Sequence, residues 1–371
     1  MKKILVMFGI LVGMCVLMTV LEWVLQVSHD QGDSSYFRAL ITLVTDSNSW
    51  KQLRQPSFLS SYNLQNAATR IGMYGIFSIG LGVVIISGGI DLSVGAIFSL
   101  IAVLLAIMMR SPVDSLGSAT GGWGWSWLIV VPLMLLLSAG IGVWHGVLIT
   151  KARLQPFIVT LAGLMIYRGV ARYIANDQSR GFSTEDFGMF RRLTTGSLFY
   201  VPAPFIYLII IAVIMWFVVH RSVYGRYLFA VGRNEMAAKY SGINVKLVVA
   251  TAYVIGAVLA GISAILLAIN TNSVSAADFG NAYELYGIAA AVLGGCSLRG
   301  GEGSVIGVVI GTAVLRVLEN MNNLLNVPSS LNFAVMGVVI LIGVAVDEFL
   351  KRRTKAKVVV LPTAPAPAAT A

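Results

Sequence analysis

Leu247-Val-Val-Ala-Thr-Ala-Tyr-Val-Ile-Gly-Ala-Val-Leu-Ala-Gly-Ile-Ser-Ala-Ile-Leu-Leu-Ala-Ile-Asn270 runs for 24 residues without a charge. A helix rises about 1.5 Å per residue, so the run is long enough to cross a hydrocarbon layer roughly 30 Å thick. Nine more stretches read the same way, near 4–24, 67–87, 92–110, 126–149, 156–174, 204–220, 284–297, 304–320 and 331–348. The pair 67–87 and 92–110 is tightly spaced and 284–297 is short, which points to broken or re-entrant elements there. The expected fold is therefore all-α: a polytopic membrane protein with about ten transmembrane helices.

Composition agrees. Of 371 residues, 57% are hydrophobic and 11% charged, where a soluble domain carries about a quarter charged residues. The net charge of +10 does not point to nucleic acid, because the basic residues sit in short clusters between apolar runs. Such clusters orient membrane segments. With Lys2 and Lys3 inside, the same side collects Lys151, Arg153, Arg221, Arg226, Arg233, Lys239, Lys246, Arg299 and the cluster Lys351, Arg352, Arg353, Lys355, Lys357. The other side holds fewer, among them Arg38, Lys51, Arg54, Arg110, Arg180, Arg191 and Arg192. Both termini are expected in the cytoplasm of a cell whose plasma (inner) membrane carries the chain. Ile4–Leu21 has the look of a signal peptide, but Glu22, Trp23 and Val24 follow instead of a small-residue cleavage site, so it reads as an uncleaved anchor. Three regions follow: residues 1–66 as a first span and external segment, 67–350 as the membrane domain, and 351–371 as a basic, Pro/Ala-rich cytoplasmic tail.

The loop ahead of the quoted run carries the most local information. Asn234 is a good N-cap, Glu235 and Lys239 stand four residues apart in the favourable order, and Gly242 can end a helix in the left-handed conformation. A short cytoplasmic helix over 235–241 is expected, with Ala237 and Ala238 offering a small surface for close approach. From capping alone this is equally an ordinary solvated helix. In residues 88–95, Gly88 and Gly89 permit a sharp reversal, while Asp91 and Ser93 can cap the helix that Gly95 begins to build. That stretch reads as a capped turn at the cytoplasmic face or as a gating element. Gly303, Gly307 and Gly311 repeat at four-residue spacing and mark close helix packing, within one subunit or across a dimer seam.

Five stretches together resemble one family, the ribose-type sugar ABC permeases. They are Ile85-Ile-Ser-Gly-Gly-Ile-Asp-Leu-Ser-Val-Gly95; Gln155-Pro-Phe-Ile-Val-Thr-Leu161 with Tyr167-Arg-Gly169; Tyr224 to Asn244; Tyr283-Glu-Leu-Tyr-Gly-Ile-Ala-Ala290; and Leu293-Gly-Gly-Cys-Ser-Leu-Arg-Gly-Gly-Glu-Gly-Ser304. The likeness covers roughly residues 56–350. It implies a dimeric channel formed with a second permease copy or a paralogue, two cytoplasmic ABC ATPase subunits that use the ATP, and an external sugar-binding protein. It also implies that Gly232, Asn234, Glu235, Ala237, Ala238, Ser241 and Gly242 form the ATPase-coupling loop. Tyr286 stands where the family usually has Asp and Cys296 where it usually has Thr; Arg299 and Glu302 also depart. These changes bear on the solute more than on the class of machine.

No cofactor is expected in the chain itself. It contains no Gly-Lys dipeptide, hence no phosphate-binding G-x-x-x-x-G-K-[ST] loop. No catalytic set or metal cluster is evident, with His29, His145 and His220 far apart and Cys15 and Cys296 in apolar surroundings. Arg168 and Arg172 are expected to snorkel to the outer headgroups, and Arg316 to pair with Glu319. The expected function is the permease subunit of an ATP-driven, binding-protein-dependent importer of a pentose- or hexose-class sugar. The alternatives are an ABC permease for a different small solute and an ion-coupled secondary transporter. The latter is disfavoured by the few acids at span centres.

Overall fold

The computed structural model describes residues 2–30, 57–113, 120–182, 188–325, 327–331, 334–338 and 341. The elements are helices α1 (Lys2–Asp30), α2 (Ser61–Ile86), α3 (Val94–Met109), α4 (Trp127–Thr150), α5 (Pro156–Ala175), α6 (Gly188–Thr195), α7 (Ala203–His220), α8 (Val223–Arg233), α9 (Glu235–Tyr240), α10 (Val245–Thr271), α11 (Tyr283–Leu293) and α12 (Val305–Leu324). Two small two-stranded ribbons complete them: β1 (Arg180–Gly181) with β4 (Ser273–Val274), and β2 (Ser197–Leu198) with β3 (Val201–Pro202).

Among the described residues seven helices are long and apolar enough to cross a membrane: α1, α2, α4, α5, α7, α10 and α12. Two of the ten expected stretches prove shorter. Helix α3 has 16 residues and α11 has 11, roughly 24 and 17 Å at helical rise, so neither crosses alone. The stretch 331–348 lies largely outside the described residues, as do most of 28–56 and the whole tail 351–371.

Helices start where a side chain can serve an orphan amide. Ser60, Ser222, Asn244 and Ser304 accept from Asn63, Gly225, Leu247 and Gly307, and Pro156 opens α5. Asn176 and Asn272 end α5 and α10 in the left-handed conformation.

Burial sorts the helices into a centre and a shell. Most of the apolar window is buried in α2 (83%) and α10 (78%), against 28% or less in α4, α5, α7 and α1. The centre is one apolar cluster built from α2, α3 and α10, including Ile76, Phe77, Ile97, Ile101, Ala257 and Ala260. The shell turns Leu136, Met165 and Val213 outward, as lipid contact requires. Small residues let these layers close. Gly142 and Gly146 lie on α10 at Val254 and Ala250, while Gly307 and Gly311 lie on α11 at Gly294 and Ala290. Gly303 meets Ile86 and Cys296. The glycine row of α12 thus packs within the subunit.

Candidate functional site

The chain between α7 and α10 forms two helices rather than one. Ser222 opens α8, and Asn234 separates it from α9 with an extended backbone, φ −159° and ψ 101°. The Asn234 side chain accepts the Ala237 N–H at 3.0 Å, and the Ser241 hydroxyl donates to the Ala237 carbonyl at 2.9 Å. Gly242 ends the turn at φ 80°. Helix α9 therefore holds its shape by local bonds, leaving Glu235, Met236, Ala237, Lys239, Tyr240, Ser241 and Gly242 exposed. Ala238 is not part of that face; it is buried in the core, because position 238 is on the inner side of so short a helix. Met236 and Tyr240, one turn apart, take its place as the outward apolar pair, 55% and 82% exposed. Beside them α8 and α10 frame a cleft of about 270 Å³ lined by Tyr224, Tyr227, Asn244, Leu247, Val248 and Thr251.

Immediately before α9 three chain segments meet backbone to backbone. The Gly301 N–H donates to the Ile86 carbonyl at 2.9 Å. A methyl group on Gly300 would stand 2.7 Å from the Gly232 carbonyl oxygen and 2.8 Å from the Gly88 Cα, and one on Gly232 would overlap the Ile86 carbonyl. Gly88 and Gly300 both need positive φ, 88° and 81°. The turn after α2, the α8–α9 corner and the loop before α12 are thus one joint with no room for a side chain at Gly232 or Gly300. Sequence spacing could not pair Gly88 with Gly232 or Gly300, since no periodicity links such distant residues.

The second half of the 88–95 stretch differs from the capped cytoplasmic turn read in the sequence. The Asp91 carboxylate accepts both the Ser93 N–H at 2.8 Å and the Ser93 hydroxyl at 2.6 Å. Ser93 therefore makes no side-chain cap to α3. The chain from Ile90 climbs into the protein, where the Ile90 carbonyl accepts from Tyr253 at 3.2 Å and Thr160 at 3.3 Å. Asp91 is 1% exposed. Gly95 abuts Gly280 and Glu284, itself buried. The few acids counted at span centres missed both carboxylates, because Asp91 lies in the break between α2 and α3 and Glu284 in the first turn of the short α11.

Arg168 is also placed differently from the snorkelling expected of it. Its guanidinium turns inward and donates to the carbonyls of Ala276, Ala277 and Phe279 at 3.3, 3.2 and 2.6 Å, and to that of Gly95 at 3.3 Å. The carbonyls of Ala277 and Phe279 belong to non-helical backbone, that of Ala276 is shared with the Ser99 hydroxyl and that of Gly95 lies in the first turn of α3, and a planar five-donor fork reaches all four at once. Arg168→Ala is expected to lower the thermal unfolding temperature in detergent by several degrees, since each stranded carbonyl costs about 1–3 kcal/mol. Arg168→Lys should recover only part. An unchanged melting curve for the alanine variant would show the contacts to be incidental. Arg172 remains exposed and pairs with Asp177 at 2.6 Å.

Arg316 pairs with Glu319 at 2.5 Å and lies between two rings, 3.8 Å from the Tyr74 centroid and 4.6 Å from that of Tyr286. Its side chain is 2% exposed. Removing one partner of such a pair costs roughly 3–5 kcal/mol. Arg316→Ala should therefore be among the most destabilising single changes, and thermal unfolding with Glu319→Ala as the second arm of a double-mutant cycle measures the coupling. Among the described residues no group of three His, Cys, Asp or Glu side chains is placed to hold a metal.

Residues 63–344 match the family described as branched-chain amino acid transport system / permease component. The chain belongs to this permease family. Its curated relatives include the ribose import permease of Bacillus subtilis (strain 168), 40% identical over 294 residues that cover 79% of this chain and 86% of the relative. The D-allose transport system permease of Escherichia coli (strain K12) is 32% identical, with coverage of 80% and 86%. The galactofuranose transporter permease of the same strain is 30% identical, with coverage of 81% and 85%. No solved structure matches. The permease is thus a multi-pass inner-membrane transport subunit.

Within the permease the sequence departures have definite places. Tyr286 supplies one ring over Arg316. Cys296 is buried beside Gly303 and Gly82, out of reach of solvent. Arg299 and Glu302 are exposed on the loop that carries Gly300. That loop closes through Ser297 N–H to the Glu302 carbonyl at 3.0 Å and lies against the α8–α9 corner at Gly232 and Arg233.

Proposed function

We propose that the permease is the membrane-spanning subunit of an ATP-driven, binding-protein-dependent importer of a small sugar of the pentose or hexose class. The observation that carries the reading is 40% identity across 86% of a ribose import permease, together with an exposed, self-capped helix at 235–240 on the basic side of the membrane. Relatives named for ribose, allose and galactofuranose support a sugar more than the amino acid in the family description.

In this reading cytoplasmic ABC ATPase subunits bind and hydrolyse the ATP. Helix α9 seats on them through Glu235, Met236, Ala237, Lys239 and Tyr240, with Ser241 and Gly242 closing the helix behind. Motion of α9 reaches the membrane through the Gly88–Gly232–Gly300 joint, because packed backbone transmits displacement that flexible side chains would absorb. A second permease copy or paralogue completes the channel, and an external sugar-binding protein delivers the solute to the outer segments. The basic tail 351–371 stays a cytoplasmic extension.

The buried Asp91 and Glu284 would be the ion-binding acids of an ion-coupled transporter, the one competing reading with an observation behind it. Purifying the tagged permease from native membranes in gentle detergent separates the two. Recovery of an ABC-type ATPase at stoichiometric yield supports the proposal; a permease that comes out alone and still moves sugar down an ion gradient overturns it.

A further inference from the structure

Helix α10 ends at Thr271, and the chain then makes its ribbon with Arg180–Gly181, beyond the outer end of α5. No helix follows until Tyr283. The intervening residues do not stay at the surface. The Ser99 hydroxyl donates to the Ala276 carbonyl at 2.7 Å, and Gly280 packs on Gly95. Along α3, Ser99 and Gly95 lie ten and fourteen residues before the end at Met109, roughly 15 and 21 Å at helical rise. That end marks the interface: the Trp125 and Trp123 amides bond the Met108 and Ile107 carbonyls, and interfaces favour tryptophan. Residues 275–282 therefore carry turn-forming backbone to the middle of a layer about 30 Å thick.

Backbone of this kind is tolerated at that depth only when buried in protein or facing water. One side of the segment is buried: Ala276, Gly280 and Glu284 face α3, with Arg168 bonding the carbonyls. The opposite side is not. Ala277, Asp278, Asn281 and Leu285 are exposed. The Asp278 carboxylate accepts the Ser275 hydroxyl at 3.0 Å through one of its oxygens. A carboxylate and a carboxamide turned to lipid at mid-membrane are costly, so this face meets something polar.

We propose that the outward face of residues 277–285 lines the water-filled passage for the solute, with Asp278 and Asn281 as its hydrogen-bonding contacts. The chemistry fits a neutral polyhydroxy compound. Sugar hydroxyls donate and accept, a carboxylate accepts, and a carboxamide does both. Identifying the solute as a sugar rests on the function proposed above; the passage itself rests on the depth and exposure of the segment.

Cysteine accessibility tests it in the complete transporter, with Cys15 and Cys296 replaced by alanine. Asp278→Cys, Asn281→Cys and, as the lipid-facing control in α7, Val213→Cys are treated with a charged, membrane-impermeant methanethiosulfonate. Both passage variants should react at least about tenfold faster than the control, because a charged reagent avoids hydrocarbon, and saturating transported sugar should slow them. Inert thiols at 278 and 281 overturn the inference, as does a disulfide that joins two copies through Asn281→Cys and marks the face as a subunit seam. Wild-type sugar uptake with inert thiols leaves the proposed function standing and removes the passage. Reactive thiols in a transporter that imports no sugar do the reverse.

Discussion

Uptake falls below about a tenth of wild type in Gly232→Val, with the chain still inserted and still bound to its ATPase partner. This follows from the joint ahead of α9. Any side chain at 232 overlaps the Ile86 carbonyl and stands 2.5 Å from the Gly301 nitrogen, so the α8–α9 corner must lift away from the turn after α2. Overpacking of this kind costs about 1–3 kcal/mol, too little to unfold a membrane domain held by a large central cluster. What is lost is the contact by which α9 acts on residues 88–95. ATP hydrolysis measured in the same vesicles separates the cases: hydrolysis should continue while transport stops. Gly140→Ala is the control. It has open space around it and lies inside helix α4, away from the joint and from α9, so its uptake should stay within about twofold of wild type. Normal uptake by Gly232→Val would mean the joint is packing and nothing more.

Glu235→Arg gives the second large effect, at least a tenfold loss of uptake with unchanged abundance in the membrane. Glu235 is exposed at the first position of α9 and has no ion-pair partner among the described residues. Reversing its charge forfeits only the favourable interaction with the helix N-terminus, about 0.3–1 kcal/mol. Asn234 still caps the helix. A tenfold effect therefore exceeds what the subunit alone can account for and reports a contact with another protein. Tyr240→Ala, at the exposed pair with Met236, should weaken ATPase co-purification likewise, whereas Ala238→Gly acts on the core and should change stability instead. Full uptake by Glu235→Arg would remove α9 from the docking surface.

Much of the fold was legible because lipid imposes a simple pattern. The long apolar runs became α1, α2, α4, α5, α7, α10 and α12 with ends displaced by a few residues. The cap at Asn234 and the left-handed Gly242 were legible too, since both are local backbone chemistry. What could not be read depends on which distant segments touch. Arg168 looks like a snorkelling residue from its place near the outer end of a helix, and only the descent of residues 275–282 turns it inward. Ser93 looks like a cap until the Asp91 carboxylate takes its hydroxyl. Ala237 and Ala238 are indistinguishable in sequence, yet one faces solvent and the other the core. Helix α8 went unforeseen because its apolar positions merge with the end of α7. The short span 284–297 did carry a usable signal: eleven helical residues cannot cross, so a non-helical arm had to supply the remaining depth.

The most direct test of the central claim is solute flux in proteoliposomes that hold the permease, its co-purifying ATPase and the external binding protein. Labelled sugar should accumulate only when ATP, the ATPase and the binding protein are all present, and an ionophore that collapses proton and sodium gradients should leave the rate unchanged. Accumulation without ATP that the ionophore abolishes would contradict the account and make the buried carboxylates Asp91 and Glu284 the place to look for the coupling ion.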